Sequence, residues 1–183
     1  MRSIYGMTLV GFMTLAGSAD AQTHGSHPHS THAPSASPYA GLEQRLIRAL
    51  SDQQIADLRA GRGMGLALPA ELNGYPGPVH VLELADTLGL SDAQRDRAKT
   101  LFEGMKAETI PLGERIIAEE AVLDRLFADR TITSATLTAA TARIATAQGD
   151  LRAAHLRYHL AMRDALTPDQ IALYDEKRGY RRR

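Results

Sequence analysis

The repeated phrases LSDAQ at residues 90–94 and LTPDQ at residues 166–170 decide how this chain folds, and a related phrase, LSDQQ, lies at residues 50–54. Each phrase has the composition of a helix start. The Ser or Thr side chain can accept a hydrogen bond from the first turn, and the Gln three residues later can bond back to the cap backbone. The leucine before each cap is placed to pack as a hydrophobic staple. The phrases predict three helix starts, formed by Leu50, Ser51, Gln54, Leu90, Ser91, Gln94, Leu166, Thr167 and Gln170.

Apolar residues recur at steps of three, four or seven over residues 91–129 and again over residues 133–166. This spacing predicts two long amphipathic helices. Because only a few residues separate them, they are expected to pack antiparallel as a hairpin. Pro111 falls inside the first helix, where its missing N–H predicts a kink or a division into two helices. The predicted fold is therefore all-α and built on a long, bent antiparallel helical hairpin.

Shorter helical segments precede the hairpin. We expect them at four places, residues 41–50, 52–60, 66–72 and 79–88. The glycine-rich stretch 61–65 lacks the spacing, the preceding strand and the following Lys-Ser/Thr of a phosphate-binding loop, so it is interpreted as a turn. The chain therefore divides into a short-helix region, residues 41–89, and a hairpin domain, residues 90–180.

The N-terminus has the features of an export signal. Arg2 precedes a mostly apolar run over residues 4–16, and small residues flank a cleavage site after Ala21. The run is too short to cross a bilayer as a helix. Residues 1–21 are therefore expected to be a signal peptide that directs the mature chain to the periplasm. Residues 22–40 are rich in His, Ser and Pro without periodicity, and are expected to form a disordered tail.

Four tail histidines are candidate metal ligands, namely His24, His27, His29 and His32. This density of imidazole can hold a divalent transition metal loosely. Cleavage after Ala21 would also place His24 third behind a free amine, an arrangement that wraps Cu(II) or Ni(II) in a square plane unless Gln22 cyclises. The alternative is that the tail is only a solubilising linker.

His155 and His159 form a second candidate site. They are four residues apart and share one helical face, the spacing that lets two imidazoles meet one Zn, Ni or Cu ion. The hairpin register places Glu108 opposite them as a third ligand. The alternative is that both rings fill the seam between the helices, each hydrogen-bonded to a carboxylate. The intervening residues lack the glutamate of the H-E-x-x-H motif, so metalloprotease chemistry is not indicated.

The composition excludes several classes of protein. The 21 Lys and Arg residues balance 21 Asp and Glu residues, so the chain lacks the basicity typical of nucleic-acid binding. It contains no cysteine, which excludes disulfides and thiol chemistry. No nucleophile motif such as G-x-S-x-G is present. The chain is therefore predicted not to be an enzyme and to require no cofactor, with Zn, Cu or Ni as the metals that it would bind.

The paired L-[ST]-x-x-Q phrases, set in an all-helical chain behind a signal peptide, resemble the LTxxQ-motif family of periplasmic proteins. This is the Spy and CpxP type, whose relatives include periplasmic heavy-metal sensors. The likeness covers roughly residues 42–180, and the phrases at 90–94 and 166–170 carry most of it. The resemblance implies a cradle-shaped homodimer that acts as a chaperone without ATP. Residues 42–78 have no counterpart in that pattern.

Two functions follow as hypotheses. The first is an envelope-stress chaperone that binds unfolded or aggregation-prone exported proteins. Its client-binding residues would be the apolar stripe of the first long helix, formed by Phe102, Met105, Leu112, Ile116 and Leu123. The alternative is a periplasmic protein that senses or buffers a heavy metal such as Zn, Cu, Ni or Co. A sensor would also need a membrane-bound signalling partner, which the sequence does not identify.

Overall fold

Two long antiparallel helices form the frame of the computed structural model, which describes residues 37–180. A short 3-10 helix at Leu42–Gln44 comes first in this part of the chain. Six α-helices follow, α1 (Asp52–Arg59), α2 (Leu68–Glu71), α3 (Pro78–Glu83), α4 (Asp92–Ala128), α5 (Ser134–Asp164) and α6 (Pro168–Lys177). The described residues contain no strand, which confirms the all-α prediction. The predicted signal peptide and the four tail histidines lie outside the described residues.

The three repeated phrases begin helices, as predicted. Ser51, Ser91 and Thr167 each accept a hydrogen bond from the backbone N–H of the glutamine three residues on, and that glutamine's side chain accepts one from the cap backbone. The leucine before each cap is buried. A further cap of the same kind, Thr133 with Thr136, begins α5. Between residues 37 and 180, no helix has both the length and the apolar character needed to cross a bilayer.

The glutamines of the second and third phrases also bond to each other. Gln94 Nε2 donates to Gln170 Oε1 at 2.8 Å, and Gln170 Nε2 donates to Gln94 Oε1 at 3.0 Å. Gln94 also donates to the carbonyl of Ala165 at 3.0 Å, and Gln170 to that of Leu88 at 3.3 Å. Because these glutamines belong to the first turns of α4 and α6, the amide pair fastens the open end of the hairpin to the helix that follows it.

Helix α4 continues through Pro111, so the predicted alternative of two separate helices is wrong. Pro111 is exposed, and so is Ala107, whose carbonyl loses its usual partner. Water can reach that carbonyl, which makes an uninterrupted helix tolerable at this position. Across the hairpin, Arg115 Nη1 donates to Asp150 Oδ2 at 3.3 Å, in agreement with the predicted register.

Helix α1 packs onto the middle of α4, where Gly113 lies. A Cβ atom on Gly113 would lie 2.3 Å from the carbonyl oxygen of Leu58, so this close approach requires glycine. Leu58 joins Ile116 of α4 and Leu151 of α5 in one hydrophobic cluster. A glycine in a helix interior is normally destabilising, but here Gly113 is the point where the short-helix region docks.

The predicted helix over residues 41–50 is wrong, because only Leu42–Gln44 forms a turn of 3-10 helix. Ile47 and Leu50 are buried in the same cluster as Leu58. A helix of about ten residues has little intrinsic stability in water. The backbone here therefore adopts the conformation that buries Ile47 and Leu50 in place of a regular helix. The other three predicted short helices are present at the expected places, each somewhat shorter than predicted.

Two glycines of the hairpin are expected to respond in opposite directions to alanine. Gly113→Ala should destabilise the protein by about 1–3 kcal/mol, because the new methyl group meets the Leu58 backbone. Gly149→Ala adds a methyl group with no neighbour within 4 Å and should stabilise the helix by up to about 1 kcal/mol. Urea denaturation of the two purified variants measures both effects. Equal free energies of unfolding would contradict the proposed docking of α1 on Gly113.

Candidate metal centre

Helix α5 places His155 and His159 on its buried face, against a segment that precedes the hairpin. That segment, residues 61–80, contains α2 and the start of α3 and is called here the cover segment. Between it and the helices lies a cavity of about 260 Å³, called here the histidine cavity. Its lining residues with polar or sulfur-containing side chains are Met64, Glu71, His80, Met105, His155, His159, Arg178 and Tyr180.

His159 is held in one tautomer by the cover segment. Its Nδ1 lies 2.7 Å from the carbonyl oxygen of Tyr75. Because a carbonyl only accepts, Nδ1 carries a proton, and in the neutral ring Nε2 is the nitrogen with the lone pair. A Cβ atom on Gly77 would lie 3.0 Å from that Nε2, so glycine is needed for this ring to fit. Arg163 Nη1 secures the same stretch by donating to the carbonyl of Gly74 at 2.7 Å.

His155 is only 2% exposed, and its Nε2 atom is buried without a hydrogen-bond partner in the described part of the chain. Burial lowers the pKa of His155, and the neighbouring His159 lowers it further. The imidazole is therefore neutral at neutral pH. A buried polar atom left without a partner costs stability, so this nitrogen is unusual for a side chain that serves only to pack the core.

The carboxylate of Glu71 links the cover segment to the C-terminal helix. The Tyr174 hydroxyl donates to its Oε1, as does the Tyr180 hydroxyl at 3.0 Å. Gly77 N–H donates to Oε2 at 3.1 Å, and Arg178 Nε lies 3.8 Å from Oε1. Burial, together with the bond to Glu71, raises the pKa of Tyr174 and keeps this donor protonated. Glu71 is therefore a buried carboxyl group that accepts three hydrogen bonds, two at Oε1 and one at Oε2.

Two methionines approach the histidine cavity from different elements. Met105 comes from α4 and is buried. Met64 comes from the turn between Gly63 and Gly65, is 42% exposed, and has a φ of +44°. L-residues other than glycine rarely adopt this left-handed conformation, and when they do so it is often at a functional site. Both thioethers lie in the wall of the cavity that contains the two imidazoles.

The structure does not bring Glu108, the predicted third ligand, to the two histidines. Glu108 forms an ion pair with Arg157 and lines a different cavity beside Pro111. Over residues 37–180, no three His, Cys, Asp or Glu side chains are grouped so as to hold a metal ion. The alternative of one carboxylate partner for each ring is not seen either. The partner of His159 Nδ1 at hydrogen-bonding distance is a backbone carbonyl, and the nearest Glu71 oxygen is 3.7 Å away.

The predicted client-binding stripe is only partly accessible. Met105 and Ile116 are buried, so neither presents a free apolar surface in the described structure. Phe102, Leu112 and Leu123 are half-buried. The reason is that the short-helix region, which the sequence did not place, packs over this side of α4.

Sequence reasoning missed the residues of the cover segment and of the C-terminal helix that complete the site. Tyr75 and Gly77 lie between the predicted helices at residues 66–72 and 79–88, and Glu71 lies within the first of them, so none of the three was a candidate site residue. Gly77 has an ordinary extended backbone, with φ of −83°, so the turn itself does not require glycine. The neighbouring His159 ring requires it, because a Cβ atom would lie 3.0 Å from Nε2. The sequence shows the glycine, but only the fold shows this reason for it.

A family model described as heavy-metal resistance matches residues 63–172, more than half of the chain. The chain belongs to the heavy-metal resistance family. That family is related to the Spy and CpxP type of periplasmic protein. The match begins at Gly63, so it includes residues 63–80 of the cover segment, Met64, Met105, His155 and His159. Searches of curated proteins and of solved structures found no match.

The two cavity histidines are expected to differ in their contribution to metal-free stability. His159→Leu removes the donor to the Tyr75 carbonyl and should destabilise the protein by about 1–3 kcal/mol. His155→Leu removes a buried nitrogen without a partner and should be neutral or stabilising. Chemical denaturation in the presence of a chelator provides the comparison. A large loss of stability in His155→Leu would show that this ring is a structural core residue.

Proposed function

We propose that this member of the heavy-metal resistance family binds a metal ion in the histidine cavity and acts as a metal-responsive binding protein, not as an enzyme. The observation that carries the proposal is the buried Nε2 of His155, which has no hydrogen-bond partner in the described structure. A ligand that bonds to this nitrogen would remove the cost in stability of leaving it without a partner. Membership of a heavy-metal resistance family supports a metal ion as that ligand.

The arrangement of His159 supports the same proposal. Metal-ligating histidines usually donate their second ring N–H to a carbonyl or carboxylate, which fixes the tautomer and the ring orientation. His159 has this arrangement, with Tyr75 as the acceptor and Nε2 left as the donor atom. A bound cation would accept the lone pairs of both imidazoles and so satisfy the two Nε2 atoms.

The cover segment gives the proposed site a way to respond to metal. His159 and Arg163 hold it to α5, and Glu71 holds it to α6. The segment also contributes wall residues to the cavity. Metal in the cavity would bind the folded, covered state preferentially and so stabilise it. If the export signal operates, this response would occur in the periplasm, where the tail histidines would add a second, weaker site and a membrane-bound protein could read the change.

Metal binding can be tested on the full-length chain with Zn(II), Ni(II) and Cu(II) in one series and Cu(I) under reducing, anaerobic conditions in another. At metal concentrations about 100-fold above the dissociation constant, the bound metal should add about 2.7 kcal/mol of stability. His155→Leu should abolish this gain without loss of fold.

A tail variant, in which His24, His27, His29 and His32 are all alanine, separates the two sites. The gain in stability should persist in this variant. The proposal fails if no metal stabilises the chain, or if the gain disappears with the tail histidines and persists in His155→Leu.

Chaperone activity is a second candidate, and the closed end of the hairpin favours it. Phe127 at the end of α4 is 54% exposed, and Leu137 at the start of α5 is 39% exposed. Leu123 and Leu126 nearby are half-buried. Neighbouring exposed apolar side chains at one end of a protein can hold an unfolded polypeptide or a second copy of the same chain. A homodimer joined there, of the kind that the resemblance implies, would compete with clients for this surface.

The closed end can be tested by aggregation of a chemically unfolded client without ATP. The unmodified chain should suppress light scattering at equimolar concentration, and a Phe127→Asp/Leu137→Asp variant should lose most of that effect. Leu46→Asp is the matched control, since Leu46 is 81% exposed but lies in a different region. Equal suppression by all three proteins would exclude the closed end as the client-binding surface.

A further inference from the structure

The histidine cavity is lined by residues with donor atoms of two kinds, imidazole nitrogen and thioether sulfur. The imidazoles belong to His80, His155 and His159, and His80 Nδ1 already lies 2.9 Å from Glu83 Oε2. The thioethers belong to Met64 and Met105, which line the same cavity from the cover segment and from α4. Soft sulfur ligands favour Cu(I), and imidazole also suits copper, whereas harder divalent ions prefer carboxylate and carbonyl oxygen.

The charge in the cavity wall points to an ion of low charge. Among the described residues that line the cavity, Glu71 supplies the only carboxylate, and it is already bonded to two tyrosine hydroxyls and a backbone N–H. Arg178 brings a positive charge to within 3.8 Å of that carboxylate. A divalent cation here would leave a net positive charge in a poorly hydrated site, which is costly. A monovalent cation would leave less net positive charge in the cavity, so the free-energy cost of burying it is smaller.

The backbone at Met64 indicates that its position is not incidental. The residue lies between two glycines in a left-handed conformation, where glycine would be the less strained choice. The neighbouring Gly63 passes close to the other imidazole, since a Cβ there would be 3.8 Å from His155 Nδ1. The turn therefore passes close to His155, and Met64 and His155 line the same cavity.

We infer that the histidine cavity selects a soft monovalent cation, Cu(I) or Ag(I), with the thioethers of Met64 and Met105 joining the imidazoles of His155 and His159. This inference rests on the proposed function and narrows it to one class of metal. Among the described residues, no three His, Cys, Asp or Glu side chains are grouped so as to hold a metal ion. In this inference the methionine sulfurs supply the further ligands.

Ag(I) is the probe for ligand identity, because it is diamagnetic and does not change oxidation state under these conditions. The sample is the full-length chain with the four tail histidines replaced by alanine and its six methionines labelled with ¹³C at the methyl group. One equivalent of Ag(I) should shift the methyl signals of Met64 and Met105. The signal of Met162, which is buried outside the cavity, should stay in place and serves as the internal control.

Affinity provides the second readout. In competition with a Cu(I) chelator, Met64→Leu should weaken Cu(I) binding by about ten-fold or more, as expected when a contact to the metal is lost. The same change should leave the affinity for Zn(II) within about two-fold, since zinc prefers nitrogen, oxygen and thiolate. Met105→Leu should act in the same direction with little effect on folding, because the two side chains have similar volumes. Met162→Leu should leave both affinities unchanged.

The outcomes separate this inference from the proposed function. If Zn(II) or Ni(II) binds in a His155-dependent manner while Ag(I) leaves the Met64 and Met105 signals in place, the soft-cation inference is overturned and the metal-binding proposal stands. If Ag(I) shifts only the methionines of the N-terminal segment, the inference is also overturned. If no metal binds in a His155-dependent manner, both fail. Shifts confined to Met64 and Met105, with loss of Cu(I) affinity in Met64→Leu, support it.

Discussion

The buried carboxylate of Glu71 holds together parts of the chain that are far apart in sequence. It comes from the cover segment, and it accepts hydrogen bonds from Tyr174 in α6 and from Tyr180 beyond it. A buried charge is tolerated only when its hydrogen-bonding capacity is filled, so the cover segment and the C-terminus must be in place together. Because the same segment bears Tyr75 and Gly77, which orient His159, the histidine cavity depends on this contact.

The hairpin could be predicted because its determinants are local. Capping residues and apolar spacing fix where α4, α5 and α6 begin, and the structure agrees with those predictions closely. The reciprocal bonds between Gln94 and Gln170 could not be predicted, since they depend on how the two caps meet in space. The same holds for the segment before α1, where the burial of Ile47 and Leu50 prevails over helical propensity.

The candidate site was predictable only in part. The four-residue spacing of His155 and His159 indicates a shared face and a metal, and the register of the hairpin suggested Glu108 beside them. The structure instead covers that face with residues 61–80, whose Gly and Pro content signals turns but not what the turns enclose. Long-range packing therefore decides the wall of the cavity. It brings Met64 and Met105 to that wall and leaves Glu108 at a different cavity.

The central claim is that the cover segment and α5 together form a site for a soft monovalent metal ion in the histidine cavity. It is tested most directly by the anomalous scattering of silver in crystals of the full-length chain loaded with one equivalent of Ag(I). The account predicts one strong anomalous peak between His155 and His159, within bonding distance of both Nε2 atoms. A peak located only at the tail histidines, or at Glu108, would contradict it.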